Sequence, residues 1–409
     1  MDIRKIDRIL QETAYVRTGG SKEERRCAEY LQAQCAELGL AARIEEFEVD
    51  AFDLHGAELL ADGRPVPCKG YYGCGSAEVE APLYYLRNED PYSLQQCRGK
   101  VVLCEGHMKY WIYRDLLEHG ALGFITYDGN ANYADEDIDQ RELRSYVHKG
   151  DRLPGVNINA KQAIAMIRDG AQTVKLCVSQ GEETKANSCN VILDLPGEVD
   201  ETIVLTAHYD STSLSTGSYD NMSGSIGLLA MAEHFSKVPH RFGLRFIWCG
   251  SEERGLLGAK AYTEAHADEL EKIVLNVNLD MIGSIMGQFL ACCSAEEKLV
   301  HYISYFAAME GFGIRAYQDV YSSDSTPFAD KGVPALSFAR IAPNNTAAIH
   351  NRYDTPAVMS AVQTERDIAF ITAFVAAMAN AKCCPVAREI PEAVKEKLDI
   401  YNFRKRSKK

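Results

Sequence analysis

The chain has 409 residues, 46% hydrophobic and 25% charged, which allows two or three packed domains and excludes a wholly disordered chain, a collagen-like chain or a mini-protein scaffold. Its net charge of −14 has the wrong sign for a nucleic-acid binder, and the one basic run, Arg404, Lys405, Arg406, Lys408 and Lys409, reads as a solvated tail. Thirteen cysteines, with the adjacent pairs Cys292–Cys293 and Cys383–Cys384 and no C-x-x-C, favour reduced thiols. The opening MDIRKIDRILQETAYVRTGG carries no apolar signal run, so the expected location is cytoplasmic.

Residues 1–53 open with two helical patterns. Ser21 is placed to cap the second, with Glu24 as its capping-box partner, and Cys27, Leu31, Cys35 and Leu38 then share a face before Gly39. ARIEEFEV follows as a strand. Residues 54–186 change character: the short runs APLYYL, KVVLC, LGFITY and TVKLCV, with a helix over Tyr110–His119, read as a smaller mixed domain inserted into the first, the alternative being an extension of one continuous sheet. Residues 187–400 alternate apolar strands, TIVLTA (202–207), LRFIWC (244–249), IVLNVNL (273–279) and PALSF (334–338), with helices such as Asn221–Phe235 and Ala259–Glu271. That alternation predicts an α/β fold with a mostly parallel sheet covered on both faces. The late apolar stretch Ala369–Ala379 is too short to span a bilayer, and Ile368, Phe370, Ile371, Phe374, Val375 and Met378 repeat at helical spacing, so no membrane contact is expected. Residues 401–409 form the basic tail.

The polar residues that follow the strands carry the chemistry. His208 and Asp210 come after TIVLTA, Glu252 and Glu253 after LRFIWC, Asp280 after IVLNVNL, and His350 lies beyond PALSF; Asp220 stands in SYDNMSG before a helix. Parallel strands deliver such residues to one crevice. Two imidazoles and several carboxylates are N/O donors suited to zinc, cobalt or manganese. Five ligands suit two metals when one carboxylate bridges, and an unligated carboxylate is then available as general base.

These motifs together resemble the co-catalytic dizinc aminopeptidases related to glutamate carboxypeptidase and the transferrin receptor. The resemblance runs through AHYDS (207–211), YDNMSG (219–224), SEERGLLGA (251–259), NLDMIG (278–283) and IHNRYDTP (349–356), with RTGGSKEE (17–24) similar to the family's opening. GKVVL (99–103) and HGALGFITYDG (119–129) look like its protease-associated insert. The resemblance implies a three-layer α/β/α zinc-exopeptidase fold and two divalent ions, zinc before cobalt or manganese. It implies that Asp220 bridges them, His208 and Asp280 complete one site, Glu253 and His350 complete the other, and Glu252 takes a proton from the water between them. It further implies that Asp210 accepts the second ring N–H of His208, that Tyr321 steadies the oxyanion, and that the peptide after Asp220 is cis. One departure stands out: SDSTPF (323–328) has Ser325 where relatives often have His, which bears on the substrate pocket more than on hydrolysis.

Each residue has a structural alternative. His208 alone reads as a core histidine, Glu252–Glu253 as a helix N-terminus, Asp220 as an N-cap, Asp280 as a turn residue and Tyr321 as a packing tyrosine. Five motifs in order outweigh these readings. The expectation is an aminopeptidase acting on short peptides, with a homodimer as the candidate assembly. Its rivals are a carboxypeptidase or dipeptidase, with Arg340 or Arg352 as the cation for a free carboxylate; a one-zinc glutaminyl cyclase; and a receptor-like module without catalysis.

Overall fold

The computed structural model describes residues 1–344 and 346–407, so Lys408 and Lys409 of the basic tail lie outside the described residues. The chain divides into two units, Met1–Val49 with Ala186–Lys409, and Asp50–Lys185.

An eight-stranded sheet organises the first unit. From one edge its strands are Arg43–Ala51, Thr184–Leu195, Gly243–Cys249, Thr202–His208, Ile273–Leu279, Ala335–Ile341, Gln288–Ser294 and Arg315–Gln318. The four central strands are parallel to one another. Thr184–Leu195 and Gln288–Ser294 run antiparallel to their inner neighbours, so the sheet is mixed, with its parallel part at the centre. Both reversals have the same cause. The links 196–201 and 280–287 hold no helix and are too short for the crossover of roughly a dozen residues that parallel strands require.

The continuous apolar runs are explained by burial on both faces. Ile203, Leu205, Ala207, Phe246 and Trp248 share a core with Ile226 and Leu229 of the helix Ser223–Phe235 and with Ile371 and Phe374 of Ala361–Ala379. Val204, Ile247 and Cys249 face the other way, onto Tyr262 and Phe328. The helix expected over Ala259–Glu271 is Leu257–Ala265 and stops early. His266 leaves helical geometry, stacks on Tyr262 and places Nε2 2.9 Å from Glu45. A 3₁₀ turn, Leu270–Lys272, covers the remainder.

The helix Lys22–Glu37 is capped as expected at Ser21, whose Oγ accepts Glu24 N at 3.0 Å. The capping box is not closed, because the Glu24 carboxylate turns inward and accepts Gly20 N at 2.6 Å and Ser251 N at 2.7 Å. The basic tail is also less free than expected. Arg404 pairs with Asp330 and Asp399, and Lys405 with Glu396, which ties the end of the helix Glu392–Tyr401 down.

The second unit has its own eight-stranded mixed sheet. Ala77–Tyr85, Val101–Glu105, Gly123–Asp128 and Gly155–Asn159 follow one another in parallel, and Thr173–Gln180 pairs antiparallel with Leu54–Ala61 and Ala77–Tyr85. Val102, Phe124, Ile125, Val156 and Leu176 centre its core. All thirteen cysteines are free thiols. Among the described residues no helix is long and apolar enough to cross a membrane.

Candidate metal centre

Strand register brings the predicted residues to one edge. His208 pairs with Cys249, Thr206 with Asn278 and Leu279 with Phe338, so His208, the turn at Glu252 and Glu253, and Asp280 emerge side by side. Ser251, Met281 and His350 adopt left-handed backbone with φ of 53°, 63° and 59°. Such conformations cost energy in non-glycine residues and persist only where the surroundings impose them. The Asp220–Asn221 peptide is cis, as the resemblance implies.

Two donor groups result. His208, Asp220 and Asp280 form one, and Asp220, Glu253 and His350 the other, each with its ligand atoms within 4.8 Å of one another. Asp220 belongs to both through different oxygens. Its Oδ1 lies 3.1 Å from His208 Nε2 and its Oδ2 3.1 Å from His350 Nε2. Glu253 Oε2 is 3.1 Å from His350 Nε2, Asp280 Oδ1 is 3.7 Å from His208 Nε2, and Glu252 Oε2 is 4.0 Å from the same nitrogen.

The electrostatics are those of crowded carboxylates out of water. Burial raises the pKa of Glu252, and Glu253, Asp324 and Asp280 push it further, against His208. Burial likewise raises Asp280 and Glu253. Burial alone would raise Asp220 too, but His208 and His350 outweigh it and hold that carboxyl well below its ordinary range. Burial would lower His208, yet Glu252, Asp210, Asp220 and Asp280 hold it well above its ordinary value. Asp280 Oδ1 is buried without a hydrogen-bond partner. An orphaned buried oxygen costs about 1–3 kcal/mol or more, and a divalent cation is the partner an N/O set of this kind accepts. The residues therefore fit two divalent ions.

Hydrogen bonds between loops hold the set. The Asp210 carboxylate accepts Glu252 N at 3.0 Å and Glu253 N at 3.2 Å, while its Oδ1 stands 3.4 Å from His208 Nδ1; the two main-chain amides are its closer partners. Asn221 donates to Leu279 O at 2.9 Å and accepts Met281 N at 3.0 Å, gripping the backbone on either side of Asp280. Arg17, fully buried, donates to Tyr209 O, Thr216 O and Gly217 O. Asp354 accepts Tyr219 N and Asp220 N.

Tyr321 is half-buried, and burial together with Asp280 and Asp220 holds its phenol well above the usual value. Ser325 is buried in a hydroxyl cluster, 3.0 Å from Ser323 and 2.8 Å from Ser337. Arg340, a candidate carboxylate binder, is consumed elsewhere: its guanidinium chelates Asp367 at 2.7 and 2.6 Å and donates to Gly287 O. Asn221, Arg17 and Asp354 carried no assignment from sequence, although all three stand inside the quoted motifs; motif membership was the available signal, and their partners were not readable from it.

Comparisons with known proteins agree with this geometry. Residues 190–375, which hold all five donors, match the family model of Peptidase family M28. Aminopeptidase YwaD of Bacillus subtilis is 27% identical over 363 residues, 85% of this chain and 77% of that protein. Leucine aminopeptidase 2 of Trichophyton equinum is 34% identical over 128 residues, a stretch that spans only 26% of that relative. The solved structure of BSAP, a zinc aminopeptidase from Bacillus subtilis, superposes with a TM-score of 0.76 at 23% identity over 95% of this chain and 98% of that one, which establishes the fold. With its donors inside the matched segment, the chain is similar to Peptidase family M28 over that segment and is a metal-dependent exopeptidase.

Proposed function

We propose that this protein removes N-terminal residues from short, unblocked peptides at a two-metal centre. In this reading Asp220 is the shared ligand, His208 and Asp280 hold one ion, and Glu253 and His350 hold the other. The observation that carries the reading is the placement of the two Asp220 oxygens, each 3.1 Å from the Nε2 of a different histidine. When bound, the ions supply Lewis acidity toward the scissile carbonyl and lower the pKa of water.

The chain's own residues do the rest. Glu252, buried and with a raised pKa, takes a proton from the attacking water and returns it to the leaving amine. Asp210 fixes the turn that carries Glu252 through that residue's main-chain N–H. The Tyr321 phenol, kept protonated by its raised pKa, is the donor to the oxyanion that develops on the scissile carbonyl.

The names of the relatives support the amino-terminal direction. A carboxypeptidase needs a cation for a free carboxylate, and Arg340 is occupied by Asp367. A one-zinc cyclase does not account for the second donor group, and a non-catalytic module does not account for the buried Glu252 carboxylate standing 4.0 Å from His208 Nε2. We read Asp50–Lys185 as a protease-associated insert on the strength of its GKVVL and HGALGFITYDG motifs, and thirteen unpaired thiols support a cytoplasmic location. The test is a panel of dipeptides and tripeptides, free and N-acetylated, with zinc-loaded protein. Free peptides are expected to lose their first residue and acetylated ones to survive; cleavage of the acetylated set at its carboxyl end would reverse the direction.

A further inference from the structure

The segment 209–220 joins His208 to Asp220 and so fixes how far apart the two donor groups can stand. It is gripped from two sides. Arg17 holds the carbonyls of Tyr209, Thr216 and Gly217. Asp354 holds the other end. Its Oδ1 accepts Tyr219 N at 2.7 Å, its Oδ2 accepts Asp220 N at 3.2 Å and the Ser215 hydroxyl at 3.0 Å, and its carbonyl accepts the Thr216 hydroxyl at 2.6 Å. Asp354 is fully buried and stands four residues after His350.

We propose that Asp354 is a positioning residue: it locks the Asp220 segment to the His350 segment and so aims the two Asp220 oxygens at the two donor groups. The proposal rests on the two-metal reading above. A carboxylate is needed because three donors converge on two oxygens. An asparagine has one acceptor oxygen, and its NH₂ would face an N–H or a hydroxyl. The ordinary alternative is that Asp354 only satisfies buried amides. That role would affect stability and leave the ions as they are. A positioning role reaches the ions, because a residue that orients a ligand changes metal affinity by about 10–100-fold.

The test compares the full-length wild type with Asp354→Asn and Ser215→Ala, each stripped and then titrated with Zn²⁺ alone and Co²⁺ alone. The readouts are stoichiometry, affinity, the cobalt absorption spectrum, the melting temperature of the stripped protein, and kcat against KM. The wild type is expected to take two ions. Asp354→Asn is expected to weaken at least one of them by about 10–100-fold, to alter the cobalt spectrum and to lower kcat more than KM. Ser215→Ala removes one of the three donors and is expected to show a smaller loss of the same kind; it decides the matter if Asp354→Asn does not fold. Two ions bound at wild-type affinity with an unchanged cobalt spectrum, whatever happens to the melting temperature, overturns the positioning role alone. A wild type that takes fewer than two ions overturns the two-metal reading, and this role with it.

Discussion

Asp210 Oδ1 accepts the main-chain N–H of Glu252 at 3.0 Å. The turn that carries Glu252 is thus held by its backbone, and changing the side chain from carboxylate to amide leaves it in place. Glu252→Gln is therefore expected to bind both ions and to lose turnover by about 10²–10⁴-fold, the usual worth of a general base. Metal analysis and kcat on an unblocked dipeptide check this. Near-normal turnover with two ions bound would show that another group takes the proton.

Because Asp220 offers one oxygen to each donor group, the ligand variants are expected to differ in ion content. His350→Ala removes a donor from the second group only, and His208→Ala from the first only, so each should retain close to one ion per chain. Asp220→Ala damages both groups and should retain neither tightly. Elemental analysis after equilibrium dialysis separates these outcomes. One ion held at full strength by Asp220→Ala would mean that the carboxylate is not shared.

The strands that carry the site were legible because they are buried on both faces and read as unbroken apolar runs. The residues after them were legible because a buried strand has no structural reason to end on His, Glu–Glu or Asp. The antiparallel reversals were hidden: strand direction depends on which neighbour a short link can reach, and the runs themselves carry no direction. The sequence marks Glu24 as a capping residue because capping is a local pattern, whereas its partner Ser251 is 227 residues away. The same limit hid Asp354, Asn221 and Arg17. Their hydrogen bonds go mostly to backbone, and a backbone acceptor or donor leaves no trace in residue identity.

Arg340 offers a test that separates packing from substrate binding. It is largely buried against the fully buried Asp367, which also accepts Gly283 N at 3.0 Å just after the Asp280 turn. Arg340→Met leaves that carboxylate without its cation, and breaking a buried pair in this way costs about 3–5 kcal/mol. The expected result is a marked fall in melting temperature with KM for unblocked dipeptides little changed. A selective rise in KM at unchanged melting temperature would return Arg340 to the substrate site and revive the carboxypeptidase reading.

Removing the ions should expose a pH dependence of definite sign. In the metal-free protein burial pushes Asp324 up to about 7, helped by Asp280 and Asp210 against His208, and burial pushes Glu24 up to about 8, helped by Asp210. Unfolded, both carboxyls titrate near pH ~4. Between those values the folded chain holds protons that the unfolded chain has released, so stability falls as pH rises from about 4 to about 8. His208, raised well above its ordinary value, acts in the same direction. Asp220 has the opposite sign, but its contribution is complete above about pH 4. Zinc needs deprotonated donors, so its stabilising effect should grow over the same range. Thermal melts with and without chelator at about pH 5 and about pH 8 are expected to show a chelated protein that weakens with pH and a zinc-loaded one that does so less. Asp324→Asn removes one contributor: Asp324 is fully buried and neither of its oxygens has a hydrogen-bond partner, so the variant should melt higher than wild type at the upper pH and nearly equal to it at the lower. A chelated wild type that gains stability toward pH ~8 would contradict this account of how the carboxylates are held.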